Sequence, residues 1–244
     1  MNIIISGYGE IGEAVWEIEY SAGHTCAVHD PPKGLILGKW FGVNVVHICL
    51  PYSNEFVGVV ANQIKTWEPG LTIIHSTVTA GTTAAIAKAT GLPVVHSPVR
   101  GTHPNLKEGI LTFKKFVGGE PKAVKRVVKY LTSIGIPAEA AGNSETTELM
   151  KILSTTYYGT CILYTQLCKD LCDAHGADFD MAYTEANHTY NVGHKTLGRP
   201  EVARPVLTPP GGKIGGHCVS QNFDLLPEGP WKEFLRGQND GNKE

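Results

Sequence analysis

The sequence predicts an α/β protein with a doubly wound parallel sheet, followed by a long helix and a small helical domain. Short apolar runs alternate with stretches of helical spacing through residues 1–142, which is typical of a parallel sheet covered by helices. From residue 143 the alternation stops, and a stretch of helical character without proline takes its place. We therefore predict a sheet domain over 1–142, a connecting helix over 143–178 and a small helical or loop domain over 179–244.

The first predicted strand, residues 2–6, leads directly into the glycine-rich turn "GYGEIG". A helix ending at Gly23 and a second strand ending in Asp30 complete the first 30 residues. A G-x-G-x-x-G pattern alone is weak evidence, but this order of strand, turn, helix, strand and acid is the context that identifies a dinucleotide site. We predict a Rossmann-type domain that binds NAD; the alternative is a glycine-rich turn in some other α/β protein. The predicted cofactor contacts in the turn are Gly7, Tyr8, Gly9, Glu10, Ile11 and Gly12.

The glycines of this turn and the acid after it have separate roles. Gly7 permits the tight turn, Gly9 lets the backbone approach a pyrophosphate, and Gly12 lets the helix pack closely on the strand. The amino end of the helix presents free N–H groups and a partial positive charge to the phosphates. Asp30 can accept hydrogen bonds from a ribose diol and would repel a 2′-phosphate, which favours NAD over NADP, although the nearby Lys33 weakens that preference.

The same alternation continues to residue 142. Further strands are predicted over 43–51, 71–78, 92–99, 114–119 and 136–142, and further helices over 55–67, 80–91 and 120–135. Ligands of doubly wound sheets bind at the carboxyl ends of the strands. The residues there that we predict to contact the cofactor are Leu50, Pro51, Ser76 and Thr77, and Ser97 and Pro98 are predicted on the same edge.

The stretch from about Ser144 to Gly176 predicts one long helix. Asn143 or Ser144 can cap its amino end, and Glu145 and Glu148 suit the helix dipole. A helix of ~30 residues spans ~45 Å, which is longer than a small domain. We therefore predict that it bridges to a second helical unit or to another subunit, most simply in a homodimer.

Three cysteines of this helix, Cys161, Cys168 and Cys172, lie on one side and could ligate a metal. Buried thiols that behave as small hydrophobes are the commoner arrangement, so no metal site is predicted. The glycine-rich stretch "GGKIGGHC" follows a proline-rich loop, and residues 229–244 read as a fraying polar tail.

Composition excludes several classes of protein. The net charge of −2 gives no basic surface for nucleic acid or for a membrane. No apolar run reaches the ~20 residues of a membrane span, and the amino terminus does not resemble a signal peptide. The six cysteines form no regular framework. We expect a cytoplasmic protein with reduced thiols that acts on a small molecule.

Several motifs together resemble the nucleotide-sugar (UDP-glucose, GDP-mannose, UDP-N-acetylmannosamine) dehydrogenase family. They are "GYGEIG", "IIHSTVTAGTT", "SPVRGTHPNLKEG", "TELMKILSTTYYGTCILYTQLC" and "GGHC". The similarity runs from about residue 2 to 226, and "GGHC" is its most specific part. The broader superfamily, which includes 6-phosphogluconate and β-hydroxyacid dehydrogenases, shares the glycine turn and the lysine helix but not this cysteine.

The resemblance implies an NAD-dependent oxidation of a primary alcohol through a covalent intermediate. Cys218 stands in the place of the family's nucleophile, which captures the aldehyde as a thiohemiacetal and then carries a thioester that water hydrolyses. Lys151 stands in the place of the catalytic lysine and would stabilise oxyanions, and Thr77 would hold a water or a substrate hydroxyl. The substrate-binding residues that the resemblance implies are Arg100, Lys151, Gly215 and Gly216.

The sequence departs from the family at four points. Asn222 replaces the acid four residues after the cysteine, the nearest acid being Asp224, and Thr155 replaces the asparagine four residues after the lysine. Val99 replaces the glutamate of the family's "SPE", while Arg100 is kept. The chain also ends about where the family's carboxy-terminal nucleotide-binding domain would begin. Thr155 and Asn222 remain candidate catalytic residues because both can donate and accept hydrogen bonds, but neither offers a carboxylate as general base.

Two alternatives stay open at this point. One is an oxidoreductase of the β-hydroxyacid dehydrogenase type, which would use Lys151 as acid and base and no covalent step. The other is a dinucleotide-binding protein without catalytic activity, in which the three substitutions reflect lost chemistry.

Overall fold

The computed structural model describes residues 1–101, 105–214 and 219–241. The chain divides into two compact units, Met1–Lys151 and Ile152–Glu244. The strands of the first unit are β1 (Asn2–Ser6), β2 (Thr25–His29), β3 (Val45–Ile48), β4 (Leu71–Ile74), β5 (Val94–His96), β6 (Lys115–Gly119) and β7 (Ala138–Ala140). In the described residues they form one seven-stranded sheet in the order β2–β1–β3–β4–β5–β6–β7.

Helices cover both faces of this sheet. They are α1 (Glu10–Ser21), α2 (Phe56–Trp67), α3 (Thr82–Thr90), α4 (Leu106–Thr112) and α5 (Pro121–Ser133). Alternate residues of the strands point to opposite faces, so Ile3 and Ile5 pack with α1 and α5 whereas Ile4 packs with α2 and α3. The polar side of α5 faces outward and its apolar side is buried in the first cluster, as helical spacing requires. The predicted Rossmann-type doubly wound sheet is confirmed.

One strand corrects the prediction of an all-parallel sheet, because β6 pairs antiparallel with β5. The chain between them contains the seven-residue helix α4. Lys115, the first residue of β6, lies beside the carbonyl groups of Ser97 and Pro98, just past the end of β5. The chain therefore re-enters the sheet at the edge where it left, and the next strand must run backwards. Strand β7 is parallel to β6, with α5 as the crossover.

The helix α6 (Ser144–His175) follows the sheet and contains the boundary between the two units. In the second unit a π-helical turn (Asp180–Glu185) precedes α7 (Ala186–Thr196), and α8 (Ser220–Asp224) and α9 (Pro230–Gly241) follow. The helical region predicted after the sheet is thereby confirmed. The apolar core of this unit consists of Ile152, Leu163, Ile214, Phe223, Leu226 and Leu235.

The predicted polar tail is wrong for residues 229–241. Most of them form α9, whose Leu235 is fully buried in the core of the second unit. Lys232 is also buried, and its Nζ donates to the carbonyl oxygens of Asp224 and Leu226. The apolar side of this helix is short and most of its residues are polar. The sequence pattern therefore gives little indication of a buried helix.

No helix in the described ranges combines the length and apolarity that crossing a bilayer requires. The part of the chain that the structure describes contains no group of three or more histidine, cysteine or acidic residues arranged to hold a metal ion.

Candidate functional site

The glycine turn after β1 has the shape that a dinucleotide requires. Gly7 has a φ of +89°, and a Cβ there would lie 2.7 Å from the carbonyl oxygen of Cys49. A Cβ on Gly12 would lie 2.0 Å from the carbonyl oxygen of Gly7, so α1 can approach the turn only with glycine at this position. No described heavy atom lies within 4 Å of the Cβ position of Gly9, the amino-terminal cap of α1. The open side of the turn can thus accept a pyrophosphate at the helix terminus.

Asp30 lies beside this turn at the end of β2. Its Oδ2 accepts a hydrogen bond of 2.8 Å from the backbone N–H of Tyr8. Lys33 reaches back, and its Nζ donates to the carbonyl oxygen of Tyr8 at 2.5 Å. Asp30 and Lys33 therefore hold the same residue of the turn, Tyr8, through its N–H and its carbonyl group. Glu10 and Ile11 are the first residues of α1.

The ends of β3 and β4 are joined by Ser76. Its Oγ donates to the carbonyl oxygen of Leu50 at 2.6 Å. The carbonyl group of Ser76 lies 3.0 Å from Nε2 of the buried His96. Pro51 is exposed and Thr77 is partly exposed, so both border the open edge of the sheet. The predicted residues at the ends of the first strands thus lie along one edge, the carboxyl edge.

Lys151 reaches this edge from α6. Its Nζ donates to the carbonyl oxygen of Val99 at 3.0 Å, three residues past the end of β5. The guanidinium group of Arg100 lies over the rings of Phe113 and Phe116, with 5.8 and 5.9 Å to the ring centroids. The structure therefore brings Lys151 to the backbone of the segment that carries Arg100.

Glu148, which the sequence assigns to the dipole of its own helix, binds a different helix. This buried carboxylate accepts hydrogen bonds of 2.7 and 2.8 Å from the backbone N–H groups of Gly81 and Thr83, at the start of α3. It also accepts one from the hydroxyl group of Thr83 at 2.6 Å. Because Glu148 lies one turn before Lys151, this contact fixes the part of α6 that presents the lysine.

Lys115, which sequence analysis did not single out, lies under the same edge. Its Nζ donates to the carbonyl oxygens of Ser97 and Pro98 at 2.5 and 3.2 Å. Burial lowers the pKa of Lys115 to about 7, and the charge of Lys151 adds to the decrease. Burial also raises the pKa of Cys49 to about 12, so this thiol stays protonated. The sequence shows only a lysine at the start of a predicted strand, which by itself does not indicate a functional residue.

In the second unit the two substituted positions of the family pattern contact each other. Nδ2 of Asn222 donates to Oγ1 of Thr155 at 2.9 Å. Asn222 is buried, which suits an amide with a fixed partner. The predicted residues Cys218, Gly215 and Gly216 lie outside the described residues, so their predicted roles stay predictions.

Residues 22–142 match the family model described as the NAD binding domain of 6-phosphogluconate dehydrogenase. This match confirms the predicted cofactor, NAD. No curated protein is similar enough in sequence to count as a relative.

Among solved structures, the chain is similar to UDP-D-ManNAc dehydrogenase from Pyrococcus horikoshii, with 19% identity, a TM-score of 0.79 and coverage of 98% of this chain and 68% of that one. It is also similar to UDP-N-acetyl-mannosamine dehydrogenase from S. aureus, with 17% identity, a TM-score of 0.71 and coverage of 99% and 68%. The third is 3-hydroxyisobutyrate dehydrogenase from Mycobacterium tuberculosis, with 17% identity, a TM-score of 0.71 and coverage of 97% and 91%. At these identities the likeness establishes the fold alone: a Rossmann-type sheet domain followed by a helical region.

Proposed function

We propose that the protein is an NAD-dependent oxidoreductase that oxidises a primary alcohol of a small, sugar-like substrate. The observation that carries the proposal is the contact of Lys151 with the carboxyl edge of the sheet. A dinucleotide site of this fold lies along that edge. A lysine fixed there, next to the segment with Arg100, is suited to bind an oxygen of a substrate that reacts beside the cofactor.

The proposed reaction gives separate roles to residues of the first unit. The glycine turn and Asp30 would bind the pyrophosphate and the ribose. When bound, NAD would supply the hydride acceptor for oxidation of the substrate carbon. Lys151 would donate hydrogen bonds to the substrate oxygen and stabilise negative charge on it, and Thr77 would orient a hydroxyl group or a water. Arg100 would bind an anionic or polar part of the substrate.

The proposal includes a covalent step at Cys218. Its thiolate would add to the carbonyl carbon of the aldehyde from the first oxidation, and the oxygen would take up a proton to give a thiohemiacetal. Loss of a second hydride and a proton would leave a thioester, which water would cleave to the acid and the free thiol. Two equivalents of NAD are consumed for each alcohol. Thr155 and Asn222 would position water for the last step through hydroxyl and amide groups, without a carboxylate base.

The test is a survey of substrates. Purified protein is mixed with NAD and a panel of nucleotide sugars, simple sugars and β-hydroxyacids, and reduction of the nicotinamide is followed by absorbance. Calorimetry with NAD alone measures cofactor binding separately. Absence of NAD binding at millimolar cofactor would exclude every dehydrogenase function.

Replacing Cys218 with serine is expected to stop the reaction after the first oxidation, because the hydroxyl group of serine is not ionised at neutral pH and is a much weaker nucleophile than a thiolate. The number of reduced nicotinamides per alcohol should fall from two to one, with the aldehyde trapped by a hydrazine reagent. Cys172→Ser on α6 is the matched control and should keep two. A Cys218→Ser variant that still produces the acid would contradict the covalent step.

A second candidate is an oxidoreductase of the β-hydroxyacid type with no covalent step. Two observations favour it: the similarity to 3-hydroxyisobutyrate dehydrogenase over 91% of that chain, and Val99 in place of a glutamate. In that reaction Lys151 would accept the proton of the hydroxyl group, and Cys218→Ser would leave turnover unchanged. The third candidate, a dinucleotide-binding protein without catalysis, predicts NAD binding with no turnover on any substrate of the panel.

We further propose that the protein forms a homodimer through α6. Large apolar side chains of this helix are exposed in the chain as described: Leu153, Tyr157, Tyr164, Leu167 and Leu171. Their spacing of three, four and seven places them on one side of the helix. An exposed apolar surface of this kind on a single chain favours a partner, and a second copy offers the same helix for a two-fold contact.

Leu171→Glu is expected to convert such a dimer to a monomer, because a charge would be buried in an apolar contact. Light scattering coupled to size exclusion measures the mass directly. Leu197→Glu, at an exposed position just beyond α7, is the control and should leave the mass unchanged. If the wild-type chain has the mass of one copy at micromolar concentration, this proposal is wrong.

A further inference from the structure

A row of buried polar side chains crosses the face of the sheet that α1 and α5 cover. His47 occupies the middle of β3, with Ile5 and Ile73 beside it on the neighbouring strands. It is 1% exposed, as is Glu19 of α1, and Lys115 is 2% exposed. Polar groups in an apolar core cost free energy unless they pair with one another. The contacts within this row therefore determine how much its burial costs.

The side chains touch in sequence from α1 to β6. Nε2 of His47 lies 3.0 Å from Oε1 of Glu19, at ion-pair distance although not in ideal hydrogen-bond alignment. Nδ1 of His47 lies 2.8 Å from Nε2 of His75, which follows β4. Nδ1 of His75 lies 3.0 Å from Nζ of Lys115, which in turn donates to the carbonyl oxygen of Ser97. Four titratable groups thus form one continuous chain.

For a neutral His47, the chemistry of these groups fixes the positions of the protons. An ionised Glu19 can only accept, so Nε2 of His47 carries its hydrogen and Nδ1 accepts. His75 must then donate from Nε2, and its Nδ1 must accept. Only Lys115 is left to donate to that Nδ1. Its three donor hydrogens match three acceptors: the imidazole, the carbonyl group of Ser97 and that of Pro98.

The Lys115 end of this row of side chains lies at the proposed active site. Lys115 binds the carbonyl groups of Ser97 and Pro98, and Lys151 binds the next one, that of Val99. Two lysines therefore hold three consecutive carbonyl groups where β5 ends.

We propose that Glu19, His47, His75 and Lys115 form one proton-ordered chain and that Lys115 is a positioning residue, which holds the backbone segment to which Lys151 is bonded. The chain is a property of the folded protein and does not depend on the reaction. The effect of Lys115 on turnover rests on the proposed function.

The first experiment reads the tautomers directly. Protein labelled with ¹⁵N in histidine is studied by long-range ¹H–¹⁵N correlation, with signals assigned by single histidine variants. In the wild type we expect His47 and His75 to be neutral, both with the hydrogen on Nε2. A hydrogen on Nδ1 of His75, donated to Ser97, would overturn the proposal, as would a doubly protonated ring at either position. This measurement needs no variant of Lys115 and no substrate.

The second experiment removes the donor. In Lys115→Met, Nδ1 of His75 has only the carbonyl group of Ser97 as a partner, 3.0 Å away, and must carry the hydrogen itself. His47 must then donate from Nδ1 to Nε2 of His75. We expect the hydrogen of His75 to move to Nδ1 and a hydrogen to appear on Nδ1 of His47. Lys114→Met, at the neighbouring exposed lysine that pairs with Glu139, is the control and should leave both tautomers unchanged. A folded Lys115→Met protein with wild-type tautomers would overturn the proton order.

The third experiment tests positioning. If the wild-type protein turns over a substrate, Lys115→Met should lower kcat by about 10²-fold, the effect of a displacement of ~1 Å at a reacting group. NAD affinity by calorimetry should be unchanged. An unchanged kcat would overturn the role of Lys115 in positioning, whereas a wild-type protein without turnover would refute the proposed function and leave the tautomer result standing.

Discussion

Replacing Glu19 with glutamine is expected to lower the free energy of unfolding by roughly 3–5 kcal/mol at pH 7, the usual cost of removing one partner from a buried charged network. The carboxylate is 1% exposed and its oxygens contact His24, His47 and the hydroxyl group of Tyr130. A glutamine of the same shape would turn an NH₂ group toward donors that need an acceptor. Urea denaturation followed by circular dichroism measures the change.

The control for this substitution lies two residues earlier on the same helix. Glu17 is exposed and pairs with Lys107 on the surface. Glu17→Gln is expected to change the free energy of unfolding by less than about 0.5 kcal/mol. Equal effects of the two substitutions would show that Glu19 contributes no more than an exposed acid.

The effect of Glu19→Gln on the free energy of unfolding should depend on pH. Burial raises the pKa of Glu19, but the nearby His47 and hydrogen bonds from Tyr130 and His24 outweigh it and lower the pKa from 4.5 to about 2. A carboxyl group with a depressed pKa stabilises the fold above its unfolded pKa, and this contribution is lost as the pH falls from about 4.5 to about 2. The lowering corresponds to about 3 kcal/mol. The difference in stability between wild type and Glu19→Gln should therefore shrink over this range; a constant difference would contradict an ionised Glu19.

The fold could be predicted because its signals are local. Apolar runs, glycines at helix ends and the "GYGEIG" turn each specify a short segment, and the alternation of segments specifies the sheet. The reversal of β6 has no local signal, because strand direction depends on where the chain re-enters the sheet. Helix α9 was missed because one buried leucine among polar residues gives too little contrast.

Only part of the candidate site could likewise be predicted from the sequence. The glycine turn, Asp30 and Lys151 stand in recognisable motifs. The partners that fix them do not: Glu148 binds the start of α3 65 residues earlier in the chain, and Asn222 binds Thr155 across 67 positions. His47 lies inside an apolar run, where the sequence predicts a buried strand and gives no sign of Glu19 or His75. Pairings over such separations are set by the packing of strands and helices, which a single sequence does not encode position by position.

Lys151→Met is expected to lower kcat of the proposed oxidation by roughly 10²–10³-fold, the usual loss when one donor to a developing oxyanion is removed. The side chain reaches the carboxyl edge of the sheet, where it bonds the carbonyl group of Val99. Methionine keeps the length and loses the charge and the hydrogen bonds. NAD binding should be unchanged, because the glycine turn and Asp30 lie elsewhere on the edge. Turnover is followed by nicotinamide absorbance and NAD affinity by calorimetry.

The matched control is Lys169→Met on the same helix, where the lysine pairs with Asp173 on the surface. It should keep wild-type turnover. Chemical rescue separates a catalytic role of Lys151 from a structural one: in Lys151→Ala, added methylammonium should restore part of kcat, since a free cation can occupy the vacated space beside the substrate oxygen. If Lys151→Met turns over at the wild-type rate, the lysine only holds the end of β5, and the oxyanion must be stabilised by other groups. If turnover is lost and no amine restores it, while the unfolding free energy falls in parallel, Lys151 has a structural role, and its assignment to the reaction is wrong.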